Sequence, residues 1–188
     1  MENKVKNRQI EELEKILKEN FSNDGLAQKF LERIEEGKIT RDENSKTHLC
    51  VYFAAYDPRA KEVFIGHHKK SGFWLFNGGH IDKGDTLKET LAHEIAEEWG
   101  LNIDDFEISS PVLLTTTEIN NPTKQPCRLH YDLWCFVPMD KNNFAPIEAN
   151  LLEEFFEAGW KNLKEARNLI KDKSTKEAID FLEKKCFK

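Results

Sequence analysis

The stretch from residue 79 to residue 101 constrains this chain most, because it demands a helix with an acidic face beside an apolar one. It reads Gly79, five residues, Asp85, seven residues, then His93-Glu94-Ile95-Ala96-Glu97-Glu98-Trp99-Gly100-Leu101. Glu94, Glu97 and Glu98 stand at i, i+3 and i+4 and so share one face of a helix expected from about Thr86 to Trp99. Leu91, Ala92, Ile95 and Trp99 fall on an adjoining face and should anchor the helix to a core. Three carboxylates on one face repel one another unless a cation compensates, and hard cations such as Mg²⁺ take carboxylate oxygens and water. Asp85 is the expected N-cap, and Gly78-Gly79 reads as a turn into the helix.

The flanks of the helix read as sheet. Residues 49–56 and 62–68 are rich in strand formers around the turn Asp57-Pro58-Arg59, which predicts a hairpin. Residues 73–76 predict a short strand. After Gly100, strands are expected over 106–110, 112–119 and 127–137, with a polar loop at 120–126 and an acidic loop at 140–154. A last strand at 155–160 and helices at 163–170 and 175–187 complete the chain. Short turns between neighbouring strands fit a purely parallel sheet poorly. The pattern points instead to a mixed sheet with helices on its faces, in the α/β (α+β) class.

Two amphipathic helices precede this region. Ile10, Leu13, Ile16 and Leu17 recur at helical spacing in 8–20; Leu26, Phe30, Leu31 and Ile34 do so in a second helix ending near Gly37. They read as an αα-hairpin extension over 1–46, ahead of a main domain at 47–188. A packing element is the first reading of the hairpin, and a cap or homodimer contact the second.

The formal net charge of −6 gives no reason to expect nucleic acid as a partner. Cys50, Cys127, Cys135 and Cys186 form no C-x-x-C pair, so free thiols are expected and a zinc ribbon is not. The charged N-terminus lacks the apolar core of a signal peptide, and no apolar run approaches the ~20 residues of a membrane span. A cytoplasmic protein is the expectation.

The spaced residues of 79–101 resemble the Nudix box: glycine, five residues, glutamate, seven residues, then Arg-Glu-aliphatic-x-Glu-Glu-x-Gly-aliphatic. Asp85 stands for the glutamate and His93 for the arginine; the other seven fixed positions match. The resemblance covers roughly residues 47–187. It implies an α/β/α sandwich and a Mg²⁺- or Mn²⁺-dependent hydrolase that cleaves a diphosphate bond in a nucleoside diphosphate linked to another group. By position, it implies that Glu94, Glu97 and Glu98 hold the metal, with the Gly79 carbonyl as a further ligand. Glu94 is the first choice for general base. Some members take the base from a later loop, for which Glu154, or Glu153 beside it, is the candidate. The family arginine pairs with acids of the box; His93 can reach Glu97 at i, i+4, with weaker, pH-dependent support.

Other residues are candidates for substrate contact. Trp74 and Phe76 could stack on a base or pack in the core, Gly78 and Gly79 lie at the box entrance, and the 67–70 turn could meet phosphate or carry solvated charge. Trp160 reads as core and Glu148 as a surface acid. Arg128, His130 and Asp132 alternate along one strand and share a face, which either lines a cleft or is covered. A small (d)NTP-like nucleotide is the first substrate expectation. ADP-ribose, dinucleoside polyphosphates, capped RNA and isoprenoid diphosphates are alternatives, and a non-catalytic nucleotide-binding domain is the competing class.

Overall fold

Strand β1 (Thr47–Asp57) is the axis of the fold, and its sequence explains why: His48 to Ala55 is buried at every position except Tyr52. A strand buried on both faces reads as a nearly continuous apolar run. In the computed structural model, which describes residues 8–120 and 126–187, β1 forks. Its C-terminal end forms the hairpin with β2 (Glu62–His68), and its middle pairs antiparallel with β4 (Asn77–His80). Along its other edge it runs parallel to β6 (Leu129–Pro138), which pairs with β5 (Leu113–Glu118). The short β3 (Trp74–Leu75) and the later β7 (Phe155–Asn162) flank β2.

Helices cover both faces of this mixed sheet. On one face lie α1 (Arg8–Asn20), α2 (Gly25–Glu35) and the acidic helix α3 (Leu87–Trp99), which share a core with Leu49, Val51, Phe53 and Leu133. Trp99 is fully buried there, edge-on to Phe53 and Phe144 at 4.8 Å from each. On the opposite face, α5 (Leu163–Leu169) and α6 (Lys173–Lys185) cover Ala54, Trp134 and Phe136. The result is the expected α/β/α sandwich with an N-terminal helical hairpin. Among the described residues, no helix is long and apolar enough to cross a membrane.

Several local expectations are corrected. Gly78 and Gly79 are not a turn; they belong to β4, paired with Tyr52 and Val51. Thr86, not Asp85, caps α3, in a capping box with Glu89. No strand forms over 106–110: a 3₁₀ turn (Ile103–Asp105) precedes it and Pro111, which lacks an N–H, ends it. The 140–154 segment is not all loop, since α4 (Glu148–Glu154) closes it. The 120–126 loop lies almost wholly outside the described residues.

The N-terminal helices are built into the same core. Leu13, Leu17, Phe30 and Ile34 are buried in the cluster that holds α3. Gln9, itself 1% exposed, donates from Nε2 to the carbonyls of Asp82 (2.6 Å) and Asp85 (2.8 Å), and its Oε1 accepts from Gly84 N–H. Glu12 accepts from the Leu87 N–H at 2.7 Å, satisfying a donor at the start of α3. The far end of α3 is held as well. Asn150 of α4 donates to the carbonyls of Ala96 and Glu97, and Ile147 N–H to that of Trp99. Gly100 ends the helix at φ +66°, left-handed backbone that glycine adopts without strain.

Gln9→Ala removes the side-chain partner of two part-buried carbonyls and of the Gly84 N–H. It should lower the unfolding free energy by about 1–3 kcal/mol, read in urea as an earlier midpoint at unchanged m-value.

Candidate active site

The acidic centre forms where α3 crosses β4. Strand parity places Asn77 and Gly79 on the side facing α3, while Gly78 and His80 point the other way. Glu94 lies directly on Gly79: a Cβ there would overlap both carboxylate oxygens of Glu94. The missing side chain is what admits the carboxylate. One helical turn on, Glu98 is 6% exposed; it accepts from Asn77 Nδ2 at 2.5 Å and from the Gly78 N–H. Glu97, between them in sequence, is exposed. Glu89 belongs to the cap and to Arg8, at 2.8 Å, and is not part of this group.

The electrostatics follow from that placement. Burial pushes the Glu94 carboxyl up to about 7, and the neighbouring charges of Glu97, Asp82 and Glu154 push the same way. Burial drives Glu98 well above the usual carboxylate range, against the hydrogen bond from Asn77. Among the described residues, no cationic side chain pairs with Glu94, Glu97 or Glu98. Glu154, from the end of α4, adds its field to this group. Burial raises its carboxyl, but Lys70 at 2.9 Å and His68 at 3.4 Å outweigh that and hold it below the usual range.

His93 does not reach Glu97 as expected. Its Nδ1 lies 3.1 Å from Asp85 Oδ2, so the two positions that depart from the box pattern contact each other. The 67–70 turn is not a coat of solvated charge, since Lys69 donates to the Leu152 carbonyl and His68 and Lys70 face Glu154. Phe76 is core. Trp74 is half-buried, stacked on His67 at 5.6 Å with Lys161 Nζ 5.5 Å from its ring. Trp160 is half-buried against Phe64 and Phe144, and Glu148 is exposed.

The remaining substrate candidates lie on the opposite face of the sheet from the acids. His130 pairs in register with His48, and Asp132 with Cys50, both on the side to which His80 points. Asp132 is fully buried; it accepts from Thr115 (3.0 Å) and Thr117 (2.6 Å), and burial pushes it up to about 7. His130 is 9% exposed. This face is covered, and not an open cleft. Arg128 is exposed and donates from Nη1 to the carbonyls of Pro126 and Cys127. Sequence reasoning missed Asn77, and it named the 67–70 turn without the contact of His68 and Lys70 with Glu154. Asn77 was open to a parity argument from Gly79, whereas the approach of 68–70 to α4 left no local signal.

A family model described as a NUDIX domain matches residues 46–183. Among solved structures, the fold is similar to the dihydroneopterin triphosphate pyrophosphohydrolase of E. coli, at TM-score 0.60 and 16% identity, covering 70% of this chain and 92% of that one. It is also similar to a MutT protein from Methanosarcina mazei Go1 (TM-score 0.53, 16% identity, 74% and 92% covered). A third is a MutT protein from Bacillus halodurans (TM-score 0.51, 17% identity, 70% and 79% covered). At these identities the structural likeness carries the fold.

Two measurements test the geometry. Gly79→Ala drives a Cβ into the Glu94 carboxylate, an overpacking that should lower the unfolding free energy by about 1–3 kcal/mol, read from urea melts. The second concerns Glu94. Its folded value, about 7, lies above the ordinary 4.5, so its ionisation costs stability increasingly from pH 4.5 to 7 and fully above that. In metal-free buffer, Glu94→Gln should therefore gain in Tm relative to wild type at pH 8 but not at pH 4. The variant comparison is needed because burial lowers His80 and His130 to about 3, which shifts stability with pH in the opposite sense.

Proposed function

The chain belongs to the Nudix family of pyrophosphohydrolases, which act on nucleoside diphosphate derivatives, and on that premise we propose that it hydrolyses a small nucleotide of the (d)NTP type in a Mg²⁺- or Mn²⁺-dependent reaction. The observation that carries the proposal is the gathering of Glu94, Glu97 and Glu98 on one helix face, with Glu94 seated on Gly79 and, among the described residues, no cationic side chain paired with any of the three. A donor set of carboxylate oxygens suits a hard divalent cation, and the missing side chain at Gly79 lets Glu94 lie against that strand's backbone. Glu94, Glu97 and Glu98 would hold the ion, with Glu154 and the Gly79 carbonyl as further oxygens. When bound, the ion supplies charge neutralisation on the diphosphate oxygens and acidifies water.

The protein's own groups divide the remaining work. Glu94, beside the glycine and among the other acids, is placed to accept the proton of the attacking water. Water oxygen bonds to phosphorus, the bridging P–O bond breaks, and the leaving phosphate carries off the bonding pair. Glu98 is fixed by Asn77 and Gly78 and keeps one orientation throughout. Lys70, on Glu154 at 2.9 Å, offers a cation beside the acids for an incoming phosphate. Trp74 and His67, stacked 7° from parallel, offer a flat surface for a base.

A non-catalytic nucleotide binder is the competing reading, motivated by Asp85 and His93. Their mutual contact at 3.1 Å weakens it, because the pair forms a local unit that leaves the three glutamates in place.

A panel of (d)NTPs, ADP-ribose, dinucleoside polyphosphates, capped RNA and isoprenoid diphosphates, assayed with Mg²⁺ and Mn²⁺ against Glu97→Gln, decides between them. Phosphate release by wild type alone is the expected result, highest on a (d)NTP, with Glu94→Gln lowering kcat by roughly 10²–10⁴. Equal release by wild type and Glu97→Gln would favour the binder.

A further inference from the structure

A second cluster of ligand-type side chains lies behind the acidic centre, on the other face of the sheet. His48, His80, Cys127 and His130 each offer a ring nitrogen or sulfur, and these atoms all lie within 4.8 Å of one another. They come from four separate places: the start of β1, the end of β4, the segment before β6, and β6 itself. His48 is fully buried, Cys127 2% exposed and His130 9% exposed; His80 is half-buried. The three imidazoles face one another at centroid distances of 4.7, 4.8 and 5.3 Å.

The hydrogen bonding of the cluster is incomplete in an informative way. His48 Nδ1 lies 2.9 Å from the Asn44 carbonyl and donates to it, which leaves Nε2 as an acceptor facing the Cys127 thiol. That Nε2 sits 3.8 Å from Cys127 Sγ. A carbonyl that fixes the outer nitrogen and frees the inner one is the usual support for a metal-ligating histidine. His80 Nε2 and His130 Nε2 are buried with no hydrogen-bond partner, and so is Asp132 Oδ1. Orphaned polar atoms of this kind are rare in folded proteins, and a bound ion is one partner that satisfies them.

We propose that His48, His80, Cys127 and His130 bind one Zn²⁺ in a tetrahedral site of three nitrogens and a thiolate, which ties β1, β4 and β6 together at their shared end. Imidazole and thiolate select zinc over the hard cations that suit the carboxylate centre. With Zn–N near 2.0–2.1 Å and Zn–S near 2.3 Å, the edges of such a tetrahedron are roughly 3.3–3.6 Å. The ligand atoms need only small side-chain adjustments from their present spacing to reach it. Zn²⁺ with one thiolate leaves a single positive charge. Asp132, whose carboxylate lies within 4.8 Å of ligand atoms of His130 and Cys50, stands beside it to offset that charge. Arg41, whose field opposes a cation here, is exposed and solvent-screened. The site does not depend on the hydrolytic reading, because it uses none of its residues.

The test is the metal content of the full chain purified without chelator and dialysed against Mg²⁺ buffer. About one zinc per chain is expected by elemental analysis, falling to near none in Cys127→Ser and in His130→Ala. Replacement by Co²⁺ should give the visible bands of tetrahedral cobalt with a thiolate charge-transfer band that Cys127→Ser abolishes. Should either variant fail to fold, zinc returned to chelator-stripped wild type decides the matter: a raised Tm and the cobalt spectrum support the site. A stripped protein with no cobalt spectrum and a Tm indifferent to zinc would overturn it. So would a Cys127→Ser protein that raises KM for nucleotide while wild type holds no metal, since the cluster would then be a substrate contact.

Discussion

A carboxylate resting on a glycine backbone is the contact on which this molecule depends. Glu94 can occupy its place only because residue 79 carries no side chain, and the acids beside it repel one another. The fold must hold α3 against that repulsion. It does so from three directions: Ile95 and Trp99 are buried to 0% in the core, Gln9 and Glu12 bind the loop and first turn, and residues 147–150 take up the last carbonyls. A helix fixed at both ends and along one side can carry an unfavourable charge arrangement that an isolated helix could not.

Much of this was legible in the sequence, for physical reasons that differ by element. The helix α3 was clear because its apolar residues recur at helical spacing, and strand β1 because it is a nearly continuous run of strand formers closed by a turn. The cap of α3 was misread between two adjacent residues able to cap, although Glu89 three positions after Thr86 marks the capping box. Gly78 and Gly79 carry no side-chain pattern, so their place in a strand depended on Val51 and Tyr52, far away in sequence. The partnership of His93 with Asp85 was hidden because eight residues along a helix and its lead-in is no helical contact distance. That Arg128, His130 and Asp132 alternate was readable; which face of the sheet they would occupy was not, since it depends on the β1–β6 register.

The histidine cluster illustrates the same limit from the other side. Short metal motifs are recognisable because two ligands lie a turn apart. Here only Cys127 and His130 are near one another in sequence, and His48 and His80 arrive by strand pairing. Free cysteines without a C-x-x-C pair were therefore a fair sequence reading, and the arrangement became visible only once three strands were aligned.

The parity of β4 has a consequence for how the protein tolerates change. Gly79 and His80 are neighbours in a four-residue strand, yet one serves the acids above the sheet and the other the imidazoles below it. A slip of one residue in the pairing of β4 with β1 would exchange the two faces, setting an imidazole under Glu94 and leaving a gap among the histidines. Both sites would fail at once, so the two faces have a single mechanical tolerance, and insertions that either face could absorb alone are closed to the chain.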